Sequence, residues 1–332
     1  MSVIVTGMGG VGVNVAKRFL DEGYRVVCYD VTPRRGIDLL EEAGSKVTFV
    51  RGDLLDLPFL LETVRSHEAE GIIHTAIIYP LPFERPTSVF RGTVEMQQVV
   101  LEAARLEDLK VVSMSSEAVY GPQPDLRPLR EDDPTPRAWS TNPAWRMADL
   151  YIAVKVAGEQ LSQAYHYVYG LDTVVIRSAE VFGPAEHTVH RPIPYFAAKA
   201  IRKEPVRIES GGDHAKEYTY AKDLARGIYA AYTVRPLKNR VFNVTGGRLV
   251  SLREVAEAVK RAVPGAVVEL GPGELKPEGG EHQGLRAHMN SIWGHGPCDL
   301  SRAREELGYE PTPFEEAVKD YVAWLRRQVP PM

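Results

Sequence analysis

Glycines at positions 7, 9 and 12 constrain this chain more than any other feature. They lie in the stretch Val5-Thr6-Gly7-Met8-Gly9-Gly10-Val11-Gly12, directly after the β-branched run Val3-Ile4-Val5 and at the opening of a helical pattern from Val11 to Glu22. A strand that turns this abruptly into a helix excludes side chains at three points. The turn must be tight, the backbone must lie open to an approaching ligand, and the helix must pack close to the strand. The free N–H groups at the helix start then favour a phosphate. A second strand, Tyr24 to Asp30, ends in a carboxylate. An acid there accepts hydrogen bonds from both hydroxyls of an adenosine ribose and repels a 2′-phosphate. The arrangement predicts a dinucleotide-binding α/β unit that takes NAD rather than NADP. Arg34 and Arg35 stand near Asp30 and are the alternative, as partners for a phosphate.

Further short apolar runs alternate with helical patterns. Strands are expected at Val47 to Val50, Gly71 to Ala76, Leu109 to Ser113, Leu171 to Ile176 and Val241 to Val244. Helices are expected from Pro86 to Leu106 and from Tyr151 towards Tyr169. This alternation predicts right-handed βαβ units and a doubly wound, mostly parallel sheet. Beyond Gly183-Pro184 the pattern weakens to short helices and loops. Residues 1–183, with 213–247 returning to them, are read as the NAD-binding Rossmann domain. Residues 184–212 and 248–332 are read as a smaller C-terminal α/β lobe that caps the substrate. Ser251 and Glu254 form a capping box at one helix start. The stretch Gly121 to Pro143 is proline-rich and expected to be stiff, and Gly271 to Pro297 is glycine-rich and expected to be a mobile loop.

The chemistry is carried by a tyrosine–lysine pair. Three Tyr-x-x-x-Lys spacings occur: Tyr151/Lys155, Tyr195/Lys199 and Tyr218/Lys222. Only the first follows a strand that leads into a serine, Ser116. The other two read as surface pairs on amphipathic helices. A phenol has a pKa of about 10, too high for a base near neutrality. A neighbouring ammonium lowers it, and residues four apart on a helix share a face. Ser116 would hold the same substrate oxygen.

Taken with their surroundings, these residues resemble an extended short-chain dehydrogenase/reductase of the NAD-dependent epimerase/dehydratase family. The resemblance runs through Gly52-Asp53-Leu54, Ile73-His74-Thr75-Ala76 and Ser115-Ser116-Glu117-Ala118-Val119-Tyr120-Gly121. It continues through Tyr151 to Lys155 with Ala157-Gly158-Glu159, and Arg177 to Val181-Phe182-Gly183-Pro184. Gly212-Asp213 through Glu217-Tyr218 to Asp223 and Asp299-Leu300-Ser301 to Leu307-Gly308-Tyr309 complete it. It implies catalytic roles for Ser116, Tyr151 and Lys155. It implies a cofactor site of Gly7, Gly9, Gly10, Val11, Gly12, Asp30, Asp53, Leu54, Thr75, Ala76, Tyr151, Lys155 and Val181. It also implies a homodimer through helices 86–106 and 151–168.

Departures from the family pattern bear on the substrate. The glycine turn is one residue short of the usual spacing, and Thr93 replaces an asparagine. Glu180 replaces the asparagine, and Lys216 the arginine, that meet the diphosphate in sugar-nucleotide enzymes. An acid at Glu180 repels a pyrophosphate, which argues against a nucleotide-diphosphate sugar. Glu117 is an acid beside the serine, but Ala118 denies it the second carboxylate that dehydration needs. Glu117, Glu180 and Lys216 are therefore candidate substrate residues. The expected activity is Tyr-assisted hydride transfer at a secondary alcohol or ketone, of a sugar or sugar derivative. The apolar Ile77-Ile78-Tyr79-Pro80-Leu81 leaves open a less polar substrate. A silent dinucleotide sensor is the further alternative, against which the retained Ser116, Tyr151 and Lys155 count.

Other partners are disfavoured. A net charge of -4 attracts neither nucleic acid nor an anionic membrane. The first strand begins at Val3, which leaves no room for a leader, and no apolar run spans a bilayer, so a cytoplasmic location is expected. The two cysteines, Cys28 and Cys298, suggest no disulfide framework. Glu186, His187 and His190, or His282, His288, His295 and Cys298, show no metal-site spacing on a firm element, so no metal is expected.

Overall fold

The computed structural model describes residues 1–32, 37–78, 86–121, 123, 126–134, 146–186, 190–276, 282–290 and 295–328. The chain runs β1 (Ser2–Thr6), α1 (Gly10–Asp21), β2 (Arg25–Asp30), β3 (Val47–Arg51), α2 (Leu57–Ser66), β4 (Gly71–His74), α3 (Pro86–Leu106), β5 (Lys110–Met114), α4 (Arg146–Tyr169) and β6 (Thr173–Arg177). It continues with β7 (Glu180–Phe182), α5 (Pro192–Ile201), β8 (Val206–Ile208), β9 (Ala215–Tyr220), α6 (Ala221–Thr233), β10 (Val241–Asn243) and β11 (Leu249–Ser251). The last elements are α7 (Leu252–Ala262), β12 (Val268–Leu270), α8 (Gln283–Asn290), α9 (Ser301–Leu307) and α10 (Phe314–Gln328).

The main sheet has the order β10-β6-β5-β4-β1-β2-β3, and each of its pairings is parallel. Its strands are almost wholly apolar because both faces are covered. On one face α1 and α6 pack around Phe19, Leu224 and Ile228. On the other, α2 and α3 pack around Leu60, Val100 and Leu101. Strand order reverses between β1 and β4, so the chain leaves these two neighbours in opposite directions. A crevice opens at their carboxyl ends. That crevice receives both the glycine turn and Thr75-Ala76.

The expected strands and the helix Pro86–Leu106 form with small shifts of boundary. The long helix starts at Arg146 rather than Tyr151, so Tyr151 lies inside it. Helix α2 was not anticipated, though its signals are present: Asp56 accepts from Phe59 N, and Pro58 stands in the first turn.

The C-terminal part departs most from expectation. It is α/β, with strands where loops were read, and it recruits β7 and β9 from the stretches assigned to the Rossmann domain: β9 pairs with β7 and β11, and β8 with β12. These build a separate apolar core around Phe196, Val255, Tyr321 and Trp324. The capping box at Ser251 and Glu254 is present. The loop expected across 271–297 contains α8, whose Leu285 and Met289 join that core. Much of the proline-rich 121–143 stretch lies outside the described residues. Within it, Leu129 pairs with Cys298.

Candidate active site

The glycine turn is shaped by what stands against it. Gly7 has φ of +82°, and a Cβ there would lie 2.4 Å from Ala76 Cα. A Cβ on Gly12 would lie 2.0 Å from Gly7 O. Around Gly9, by contrast, no atom of the described residues outside its chain neighbours lies within 4 Å of such a Cβ, so the backbone is bare among them. Thr75 Oγ1 lies 2.8 Å from both Thr6 O and Gly7 O and ties β4 to the turn. Helix α1 begins at Gly10 with no side chain capping it. Asp30 Oδ2 accepts from Met8 N at 2.7 Å, which fixes this carboxylate beside the turn. The cradle therefore fits a dinucleotide pyrophosphate at the start of α1. Leu54 is buried, and Asp53 Oδ1 closes a local turn by accepting from Leu55 N. Val181 sits in β7, with its carbonyl taken by Arg191.

Lys155 links the segments that carry two of the expected site residues. Its Nζ donates to Met114 O at 2.9 Å and lies 5.8 Å from the centre of the Tyr151 ring. Met114 ends β5 two residues before Ser116, so this bond couples the helix carrying Tyr151 to the segment carrying Ser116. Burial pushes the lysine down to about 8, and Glu159 one turn along α4 partly offsets this. The ammonium survives at neutral pH. Ser116 is buried and accepts from Ala118 N at 3.2 Å. Behind the lysine is a cavity of about 20 Å³, lined by His74, Thr93, Gln97, Ser115 and Glu159, with room for one water. His74 is pushed down to about 3 by burial and by Lys155, so it stays neutral.

Glu159 and Arg177 brace this arrangement. They form a buried two-point pair at 2.9 and 2.7 Å, and Ser115 donates to the same carboxylate at 2.5 Å. Arg177 also lies over the Tyr120 ring, 4.7 Å from its centre.

A second polar region gathers around Glu117, the residue after Ser116. Glu180 Oε2 lies 2.8 Å from His288 Nε2 and 3.6 Å from Lys216 Nζ. Burial raises the Glu180 carboxyl, but His288, Lys216 and Arg191 outweigh it and hold the group well below the usual carboxylate range. Burial pushes Lys216 down despite Glu180 and Glu117. Glu117 Oε1 lies 3.8 Å from His295 Nε2. Burial, then the nearby Glu117, push Glu217 up to about 7. Burial opposes the charge on His295, but Glu117 prevails and raises it to about 9. Glu217, His288 and His295 were not picked out as site residues. They reach the region from segments about 100 to 180 positions beyond Glu117, and no spacing in the sequence signals that.

The other Tyr–Lys pairs are elsewhere. Tyr195 bonds His282, and Lys199 pairs with Glu204. The reading of Tyr218/Lys222 as a helical surface pair needs correcting: Tyr218 is buried in β9, while Lys222 pairs with Asp320. Strand β9 ends at Tyr220, so the two lie on different elements.

A glycine cradle at the switch point of a parallel sheet, in a chain that also sets Lys155 beside the Tyr151 ring, fits a dinucleotide-dependent enzyme. Comparison with known proteins makes the class specific. Residues 3–245 match the model of the NAD dependent epimerase/dehydratase family. UDP-glucose 4-epimerase of Mycolicibacterium smegmatis is 31% identical over 343 residues, covering 99% of each chain. UDP-glucuronate 4-epimerase of Thermodesulfobacterium geofontis is 26% identical over 350 residues, covering 98% of this chain and 96% of its own. The structure of Thermus thermophilus UDP-glucose 4-epimerase in complex with NAD superposes with a TM-score of 0.77 at 25% identity, over 99% of this chain and 100% of that one. The chain belongs to the NAD-dependent epimerase/dehydratase family and is an NAD-dependent enzyme of the extended short-chain dehydrogenase/reductase type.

Proposed function

We propose that the enzyme epimerises a sugar or sugar derivative at a secondary hydroxyl, through a transient ketone. The observation that carries this reading is the buried Lys155 ammonium, which donates to Met114 O at the end of β5 and lies beside the Tyr151 ring. Its charge favours the phenolate, so Tyr151 takes the proton of the reacting hydroxyl. Ser116 donates to the same oxygen as it becomes a carbonyl. Tyr151 later returns the proton. Gly7, Gly9, Gly10, Val11, Gly12 and Asp30 would hold NAD, with Asp53, Leu54, Thr75, Ala76 and Val181 shaping its site and Lys155 meeting the nicotinamide ribose. Bound NAD supplies hydride acceptance and return at the reacting carbon.

Glu180 and Lys216 are the proposed contacts to substrate hydroxyls. An ionised Glu180 disfavours a pyrophosphate at that point, which supports a simple sugar or neutral sugar derivative over a nucleotide sugar. We also propose that residues 1–183 and 213–247 form the cofactor domain, and 184–212 with 248–332 the substrate lobe. A homodimer through α3 and α4 is supported by exposed Phe90, Leu106, Tyr167, Val168 and Tyr169. No described helix is long and apolar enough to cross a membrane, and the proposed location is the cytoplasm.

The test is to incubate the NAD-loaded enzyme with free sugars, uronates, aldonates and UDP-sugars. Reduced nicotinamide is followed by absorbance and product stereochemistry by NMR. Inversion at a secondary carbon of one sugar class is expected. Net accumulation of NADH and ketone would show a plain dehydrogenase. NAD bound with no reduction by any of them would overturn the enzymatic reading in favour of a sensor.

A further inference from the structure

We propose that Glu117, Glu217, His295 and Cys298 form a binding site for a zinc-type divalent cation, beside Ser116 but separate from the hydride chemistry. One ligand atom each from Glu117, Glu217 and Cys298 lies within 4.8 Å of the other two. His295 Nε2 adds a fourth donor 3.8 Å from Glu117 Oε1. All four residues are buried. Zinc bonds of 2.0–2.3 Å in a tetrahedral site place ligand atoms about 3.5 Å apart, so Glu117, Glu217 and Cys298 close with small side-chain rotations, and His295 must swing further in to complete the set. A thiolate, an imidazole and carboxylates are the mixed donors that zinc accepts.

Three further observations point to a ligand. Glu117 Oε2 is buried and has no hydrogen-bond partner among the described residues. A buried carboxylate oxygen without a partner is costly unless a cation or proton meets it. His295 Nδ1 lies 2.8 Å from Gly296 O, and a carbonyl only accepts, so Nδ1 is the donor. Nε2, which faces Glu117, then becomes a ligand once a cation displaces its proton. That is how a metal-bound histidine is oriented, its second nitrogen held by a carbonyl. Glu217 is likewise fixed from behind. It accepts from Thr245 Oγ1, from Gly247 N at 2.6 Å and from Cys298 N at 2.8 Å.

With four protein donors the site is closed, which is the structural rather than the catalytic pattern. It joins three distant pieces of chain: the turn after Ser116, strand β9 and the segment 295–298. The last already pairs with Leu129 and is held through Asn243, which donates to Leu129 O and Asp299 O. A cation there would pin the substrate side of the site against Ser116. The spacing of His282, His288, His295 and Cys298 hid the site because both carboxylates come from elsewhere in the chain.

The experiment uses the full-length, NAD-loaded protein, stripped with a chelator and dialysed against Zn²⁺ or Co²⁺. About one zinc per chain by elemental analysis is expected. The Co²⁺ form should show a thiolate charge-transfer band in the near ultraviolet, and Zn²⁺ should raise the melting temperature. Cys298→Ser should remove the band and weaken zinc binding by at least about tenfold, while Cys28→Ala keeps both. Glu117→Gln should weaken binding with the fold intact by circular dichroism. Two results would overturn the proposal: no stoichiometric zinc with no Co²⁺ band in the wild type, or a Cys298→Ser protein that binds zinc as tightly as the parent.

Discussion

The cofactor side and the substrate side of this site are built in opposite ways. The cofactor cradle comes from neighbours in sequence. Gly7 to Gly12, Asp30 and Thr75-Ala76 sit at the ends of three adjacent strands within the first 76 residues, and their contacts are made mostly to backbone atoms. The substrate side gathers Glu117, Glu180, Lys216, Glu217, His288 and His295 from segments spread along most of the chain. Its contacts are between buried charges. Local sterics decide the first region, and long-range electrostatics decide the second. Substitutions should therefore act in different ways on the two sides.

The sharpest contrast comes from Gly12→Val. Its Cβ would overlap Gly7 O at 2.0 Å, so the turn cannot close. NAD binding, followed by calorimetry, should be lost altogether. A variant that still binds NAD would remove the steric account of the cradle. Next is Arg177→Met, which strands Glu159 in a buried site. Breaking such a pair costs about 3–5 kcal/mol, and the denaturant midpoint should fall accordingly. A loss under about 1 kcal/mol would mean that the brace behind Ser115 is not structural.

Lys155→Met should lower kcat by about 10²-fold or more with folding retained. Unchanged kcat would remove the ammonium from the chemistry. The pH profile sharpens the same point. With Lys155 at about 8, kcat should decline as pH rises through 8, because the ammonium is lost there. The lysine is depressed relative to its unfolded value of about 10.5, so between these values the folded state binds fewer protons and stability rises. The lost activity is then not unfolding, and a melting curve at each pH checks it. The smallest effect belongs to Glu180→Gln. It keeps shape and removes charge, so KM should change by about tenfold or less while NAD affinity holds. A change in NAD affinity would erase the division between the two sides.

That division also explains what was legible. The alternation of strands and helices, the glycine turn and the Ser116–Tyr151–Lys155 order are short-range patterns, and the fold follows them. Helix α2 carried readable signals at Asp56 and Pro58. The small strands of the C-terminal part are three to six residues long and had no periodicity to show. Helix α8 lay in a glycine-rich stretch whose composition argued for a loop. It forms because Leu285 and Met289 find a core built by other segments. The pairings of Glu180 with His288 and of Glu117 with His295 arise only once β7, β9 and the chain near 290 converge.

The most direct test is Tyr151→Phe, which deletes one oxygen from a ring already placed beside Lys155. NAD affinity should match the parent within error, while turnover on the identified substrate drops by about 10²–10⁴-fold at every pH. Turnover close to that of the parent would show that the proton leaves by another route, and the reading of this site would fail.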